Sequence, residues 1–265
     1  MYYYSTSIDW LLIAAAVIPA LFLLHFIYKH DSLEREPIGM LISLVLFGVF
    51  STEIAILLEQ AGFFVLDRIF YEDSLPYLFI SNFLIVGLAE ELSKYVLLKK
   101  RTWKSPHFNC SFDGVVYATF VSLGFALWEN ISYVLMYGFG TALLRAVTAV
   151  PGHTCFGIFM GTWYGAAKRY ENAGDSAKAA KYRKLSLIIP VCLHGAYDFL
   201  ATIEGGFMGL SFYPFVIAMF IISYTMVKRL SASDQFISPS FQGMDGAFPE
   251  DAYPQEPSQD SEEQF

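Results

Sequence analysis

Charge is scarce in this sequence. Only 16% of its 265 residues are charged, while 55% are hydrophobic and 17% aromatic; ordinary soluble chains carry roughly 25% charge. That balance excludes a protein solvated mainly by water and indicates one surrounded largely by lipid. Cysteine is equally sparse. Cys110, Cys155 and Cys192 are the only three, and the last two sit in apolar runs, which excludes a disulfide framework. Basic residues are missing from residues 231–265, which hold eight acids and no Lys or Arg, whereas the rest of the chain balances 17 acids with 17 bases. The net charge of −8 therefore belongs to a tail, and nucleic-acid binding has no support. Lys and Arg are also absent from residues 1–10, so the first apolar run lacks a signal peptide's basic flank and is expected to stay in the mature protein. No H-E-x-x-H, no nucleophile-elbow serine with a histidine partner and no G-x-G-D occurs, which disfavours zincin, serine and aspartyl chemistry.

Long apolar runs are abundant. A window of roughly 20 residues per span predicts seven transmembrane helices near 8–28, 38–58, 77–98, 113–136, 141–167, 185–204 and 210–229. The fold class is thus all-α, a polytopic membrane bundle over 1–230, followed by a disordered acidic tail over 231–265 that has little to bury. Fourteen of the bases fall in loops on one side of a seven-span chain and only Arg68 falls on the other. The positive-inside rule then puts the N-terminus outside and the C-terminus in the cytoplasm. Segment 59–76, with Glu59, Asp67, Arg68, Glu72 and Asp73 among aromatics, reads as an interfacial connector. The Ala- and Lys-rich stretch 168–184 reads as a short surface helix.

Against this background the ionisable residues within spans stand out, because such groups are expensive at bilayer depth and rarely lack a partner and a purpose. They are Glu90, Glu91 and Lys94 in the third span, Glu129 in the fourth, Arg145 and His153 in the fifth, and His194 and Asp198 in the sixth. At 1.5 Å per residue, Glu90 and His153 lie roughly 18 Å from the outer face and His194 and Asp198 roughly 13–19 Å from the inner one. These four share a layer slightly cytoplasmic of the midplane, while Glu129, about 24 Å from the inner face, fits poorly. Glu90 and Lys94, Phe125 and Glu129, and His194 and Asp198 are each four apart, so each pair projects from one helical face. An acid one turn from a histidine can orient its ring. Glu90 and Glu91 point about 100° apart, so only one faces a given centre squarely and the other is free to tie Lys94 or a neighbouring helix.

Such an inventory suits hydrolysis. A carboxylate beside a second acid or an imidazole can take a proton from water, and an opposing histidine can donate to the oxyanion of a peptide carbonyl. Duller readings stand beside it: a salt-bridge anchor for Glu90, Glu91 and Lys94, a helix–helix clamp for Glu129 and Asn130, a satisfied core histidine for His153, and a structural counter-ion role for Arg145, with Glu53 as a partner for such a cation. A metal would need His153, His194 and Glu90; His153-x-Cys155 and Cys192-x-His194 turn each cysteine about 200° away from its histidine, so no cofactor is expected and zinc remains an alternative. A proton- or ion-coupled transporter would also hold acids at mid-depth, but favours inverted repeats and interrupted helices, which the sequence does not display. A non-catalytic membrane scaffold is the other alternative. Water is expected to enter from the cytoplasmic or interfacial side, with Pro151 kinking the fifth span.

The run Glu90-Glu91-Leu92-Ser93-Lys94, then Phe125 to Glu129-Asn130, then the lone His153, then His194 to Asp198 resembles the PrsW family in order and spacing over roughly 78–200. That family is similar in architecture to the CAAX prenyl endopeptidases and bacteriocin-processing proteins. The resemblance implies a glutamate-dependent intramembrane protease of the cell membrane that cuts single-span, membrane-anchored substrates such as anti-sigma factors. By position it implies Glu90, paired with Glu91, as the water-activating carboxylate. It also implies Glu129 as its partner where the prenyl endopeptidases have histidine, His194 as the oxyanion donor oriented by Asp198, and His153 as a second donor or metal ligand.

Overall fold

The computed structural model describes residues 10–237, apart from 73, 204 and 205 and the side chains of 206–209. The helices run α1 (Trp10–His30), α2 (Ile38–Leu66), α3 (Leu75–Ile80), a π-helical segment (Ser81–Gly87), α4 (Leu88–Thr102), α5 (Asp113–Tyr137), α6 (Phe139–Val147), α7 (Ala149–Asn172), α8 (Ser176–Thr202) and α9 (Gly206–Ala232). Joined where they are continuous, they supply seven spans long and apolar enough to cross a membrane. The bundle is all-α and polytopic, as the hydropathy predicts. Its axis is α5, whose apolar window is 78% buried against 17% for α1. The outer helices instead expose Phe22, Leu46, Leu57 and Ile221, a surface suited to lipid.

Glycine sets the closest approaches around α5. Gly157, Gly161 and Gly165 recur every fourth residue on α7, and a Cβ on Gly114 would lie 2.6 Å from both the Gly161 carbonyl and the Gly165 nitrogen. Only glycine allows the two backbones to meet there, the small-residue packing expected between membrane helices. A second such contact seats α8 on the π-helical segment, where a Cβ on Gly87 would stand 3.2 Å from the Gly195 nitrogen.

Two spans are interrupted, contrary to the uninterrupted helices read from the sequence. In the third, the π-helical turn over 81–87 widens the helix just before Glu90; such turns recur at functional sites. In the fifth, Gly138 at φ +83° ends α5, and Thr148, at φ −121° and ψ −73°, breaks α6 from α7. The break lies three residues before Pro151, at the end of the turn where its ring would meet the Val147 carbonyl. Pro151 sits in the first turn of α7, where its missing N–H has no intrahelical partner to lose.

Three boundaries differ from expectation. Residues 59–66 of the expected connector are the last turns of α2, and 168–184 is no separate helix but the end of α7, a turn and the start of α8. The tail also begins later than 231: α9 runs to Ala232, and 234–237 fold back against the loop before α5. Asp234 Oδ1 accepts from the Phe112 amide and Ser111 hydroxyl, both at 2.8 Å, and the Ile237 amide donates to the Asn109 carbonyl at 2.6 Å. Under this clasp, Asp113 Oδ2 accepts from the Asn109 and Cys110 amides, and the Tyr117 hydroxyl donates to Glu36 at 2.6 Å. The rest of the expected tail, 238–265, lies outside the described residues.

Candidate active site

All six candidate residues gather at one level of the bundle, from α4 (Glu90, Glu91), α5 (Glu129), α7 (His153) and α8 (His194, Asp198). Their hub is Lys94, fully buried. Its Nζ donates to Glu91 Oε1 at 2.7 Å, to Glu90 Oε2 at 3.1 Å and to His153 Nδ1 at 3.2 Å. Those three acceptors exhaust an ammonium's three hydrogens, and the Phe125 ring, with its centroid 3.9 Å from Nζ, adds a cation–π contact. Because the ammonium can only donate, His153 Nδ1 must accept, which puts the ring proton on Nε2, facing Glu129 Oε2 at 2.9 Å. Neither nitrogen of His153 is left free for a further ligand.

Glu129 Oε2 also lies 2.8 Å from Arg145 Nη2, an ion pair that brings α6 to the site. Arg145 Nε donates to Asn130 Oδ1 at 3.1 Å, and Asn130 Nδ2 donates to the Ala16 carbonyl at 2.9 Å. Asn130 thus ties α5 to α1 and to Arg145, which pairs with Glu129. Glu53 is exposed and is not that cation's partner.

His194 is held at both ring nitrogens, Nδ1 at 2.9 Å from Glu91 Oε1 and Nε2 at 3.2 Å from Asp198 Oδ2. Glu91 is the nearer orienting acid, so Asp198 does not hold the ring alone. Nε2 also lies 3.9 Å from Glu90 Oε2, and Phe156 stacks on the ring at 4.6 Å between centroids. Glu90 thus faces the working space, with Glu91 and Lys94 packed behind it.

That space is a cavity of about 1320 Å³, walled by Glu90, Glu129, His153, His194 and Asp198 together with Thr52, Glu59, Asn82 and Arg145. It extends past Met136, Leu144, Leu210 and Tyr213, at the end of the bundle where α2 meets α3, α5 meets α6 and α8 meets α9. The cavity therefore extends towards the end of the bundle opposite the basic loops. The depth estimate changes. His194 is 18 residues into α8, not nine into a span starting at 185, or ~27 Å from that helix's start. Glu129, ~24 Å along α5, is in register after all; the spans drawn around the others were too short.

Sequence reasoning missed Glu59, Asn82 and Phe156. Glu59 falls in the segment that reads as a connector, and Asn82 lies in a π-helical turn with no compositional signature. Phe156, three residues after His153, shares its helical face and was detectable by spacing.

Glu90, Glu91, His153 and His194 each offer one ligand atom, all within 4.8 Å of one another, a set of metal-binding types. Glu90 Oε2, Glu91 Oε1 and His153 Nδ1, however, already accept from Lys94. No cysteine joins the group; Cys155 is buried and Cys192 exposed, both as free thiols.

Residues 36–225 match the family described as PrsW family intramembrane metalloprotease, well beyond the 78–200 that carry the motifs. Protease PrsW of Oceanobacillus iheyensis is 34% identical over 218 residues, 82% of this chain and 95% of the relative. Protease PrsW of Clostridioides difficile is 32% identical over 218 residues, 81% and 89% of the two chains, and that of Bacillus subtilis 34% over 191 residues, 72% and 83%. No solved structure matches. With seven apolar spans around a shared polar cavity, the chain belongs to the PrsW family of intramembrane proteases and is a multi-pass protein of the cell membrane.

Proposed function

We propose that this protein hydrolyses a peptide bond of a single-span, membrane-anchored protein by glutamate chemistry, with the N-terminus and the cavity mouth outside and the C-terminus in the cytoplasm. A membrane-anchored anti-sigma factor is a substrate of this form. The observation that carries the reading is Glu90 on the cavity wall, its Oε2 3.9 Å from His194 Nε2 and 3.1 Å from Lys94 Nζ. Glu90 takes a proton from water while the water oxygen bonds to the scissile carbonyl carbon. The carbonyl π pair moves to oxygen, where His194 Nε2–H receives it. Collapse of the intermediate breaks the C–N bond, and the proton on Glu90 goes to the leaving amine. Glu91 orients His194 through Nδ1, while Asp198 holds the working nitrogen until the oxyanion takes its place. Glu129, fixed by His153 and Arg145, is the second carboxylate facing the water.

The family description includes a metal, and the donor types here are those a zinc ion takes. Their arrangement does not suit it: Lys94 is already bonded to three of the four, Glu90, Glu91 and His153, and a metal taking those atoms would have to displace a fully satisfied, buried ammonium. No step of the proposed reaction runs through a metal.

Reconstituted with a single-span substrate, wild type should cleave and Glu90→Gln should not while keeping its thermal transition; equal cleavage by both would remove Glu90 from the chemistry. Interrupted helices beside a mid-depth cavity also occur in transporters. Proton-gradient-driven uptake into sealed vesicles by an enzyme that cuts nothing would favour that second reading.

A further inference from the structure

Four carboxylates line the cavity, and three have cationic or imidazole partners. Glu90 has Lys94, Glu129 has Arg145 and His153, and Asp198 has His194. The fourth, Glu59, pairs with no Lys, Arg or His among the described residues. The described residues include every Lys and Arg in the chain, so no basic side chain elsewhere is left to satisfy it. It shares the cavity wall with Glu90, Glu129, His194 and Asp198. It stands seven residues beyond Thr52 on the same wall, ~10 Å nearer the mouth. A Cβ on Gly62 would meet the Ile85 side chain of the π-helical segment at 2.8 Å, so α2 is seated against that segment one turn past Glu59.

An unpaired carboxylate at this depth is unfavourable unless something brings it a cation. The cavity is open and larger than the ~300–1,000 Å³ of ordinary small-molecule sites, room for an unwound peptide segment and its side chains. We propose that Glu59 is a specificity-determining residue that pairs with a Lys or Arg of the substrate, a few residues from the scissile bond on the side towards the cavity mouth. The inference rests on the hydrolase reading of the cavity and adds to it a substrate class, membrane-anchored segments with a basic residue flanking the cut. Such a pair forms only as the chain enters, so it serves selection and register of the substrate and plays no part in bond breaking.

The test uses full-length protein in proteoliposomes. Its substrates are a panel of single-span proteins, each carrying Lys, Gln or Glu at one position flanking the cut, and kcat/KM is measured for wild type, Glu59→Gln, Glu59→Lys and Glu90→Gln. At one or two mouth-side positions wild type should favour Lys over Glu by about tenfold, the scale of a partly desolvated ion pair. Glu59→Gln should erase the preference and Glu59→Lys should reverse it, a gain on the Glu-bearing substrates that misfolding cannot produce. An unchanged preference in Glu59→Gln, or none in wild type at any position, overturns the proposal. Cleavage by Glu90→Gln across the whole panel would instead overturn the hydrolase assignment, whatever the charge preference.

Discussion

Replacing Lys94 with methionine keeps the side chain's length and apolar stem but removes the charge that Glu90, Glu91 and His153 all use. Glu91 and Lys94 are fully buried, so no water compensates Glu91. Removing one partner of a buried ion pair destabilises by about 3–5 kcal/mol. For a chain of this size, at roughly 2–4 °C per kcal/mol, that is a fall in Tm of about 6–20 °C. The loss arises from stranded carboxylates, so it should be repaired by neutralising one of them. Lys94→Met with Glu91→Gln should recover at least half of it, because a glutamine oxygen can still accept from His194 Nδ1. Thermal unfolding of the four proteins of this cycle in one detergent, followed by tryptophan fluorescence, measures the coupling directly. If Lys94→Met melts within about 2 °C of wild type, or the double variant is no more stable than the single, Lys94 is not the charge hub described.

Three further outcomes follow. Chelators should leave cleavage unchanged and elemental analysis should find no stoichiometric zinc; loss of activity restored by added zinc would contradict the Lys94-centred site. At the clasp, burial raises the Asp31 carboxyl from 3.8 to about 6 and that of Glu36 from 4.5 to about 7. Between those limits the folded protein binds more protons than the unfolded chain, so its stability should be greatest below about pH 4 for these two groups and fall as pH rises through 6 to 7. Asp31→Asn with Glu36→Gln should flatten that slope in melts across pH 4 to 8, and an unchanged slope would show that other groups cause it. Arg145→Met should free Glu129 and unlatch α6 together, lowering cleavage at least tenfold with a smaller fall in Tm than Lys94→Met; cleavage at the wild-type rate would make Arg145 dispensable to the site.

Side-chain spacing was the legible part of this molecule. The pairs Glu90 and Lys94, and His194 and Asp198, each four apart, do meet, because an α-helix fixes that geometry wherever it sits. Depth was legible only as far as the helix ends were. Polar residues such as Ser176 and Lys178 begin α8 well before its apolar run, so counting from hydropathy put His194 too shallow and made Glu129 look misplaced. Glu59 was hidden by the same rule, since acids beside aromatics read as interface unless a polar cavity lies behind them. The π-helical segment and the break at Thr148 are settled by packing around Gly87 and Gly195 and by the α5–α6 turn, not by local propensity. The clasp over 234–237 was invisible because it is built from backbone hydrogen bonds to 109–112 and one carboxylate, that of Asp234, which leave no trace in a hydrophobic pattern.

The account stands on hydrolysis inside the cavity shared by Glu90, Glu129 and His194, and site-specific photo-crosslinking of a trapped substrate tests that most directly. In the Glu90→Gln protein, a photoreactive residue at Thr52, on the cavity wall, should capture the substrate within a few residues of the bond wild type cuts, while one at Leu46, on the exposed face of the same helix, should not. Capture of the cut segment from Leu46 but not from Thr52 would put the reaction elsewhere.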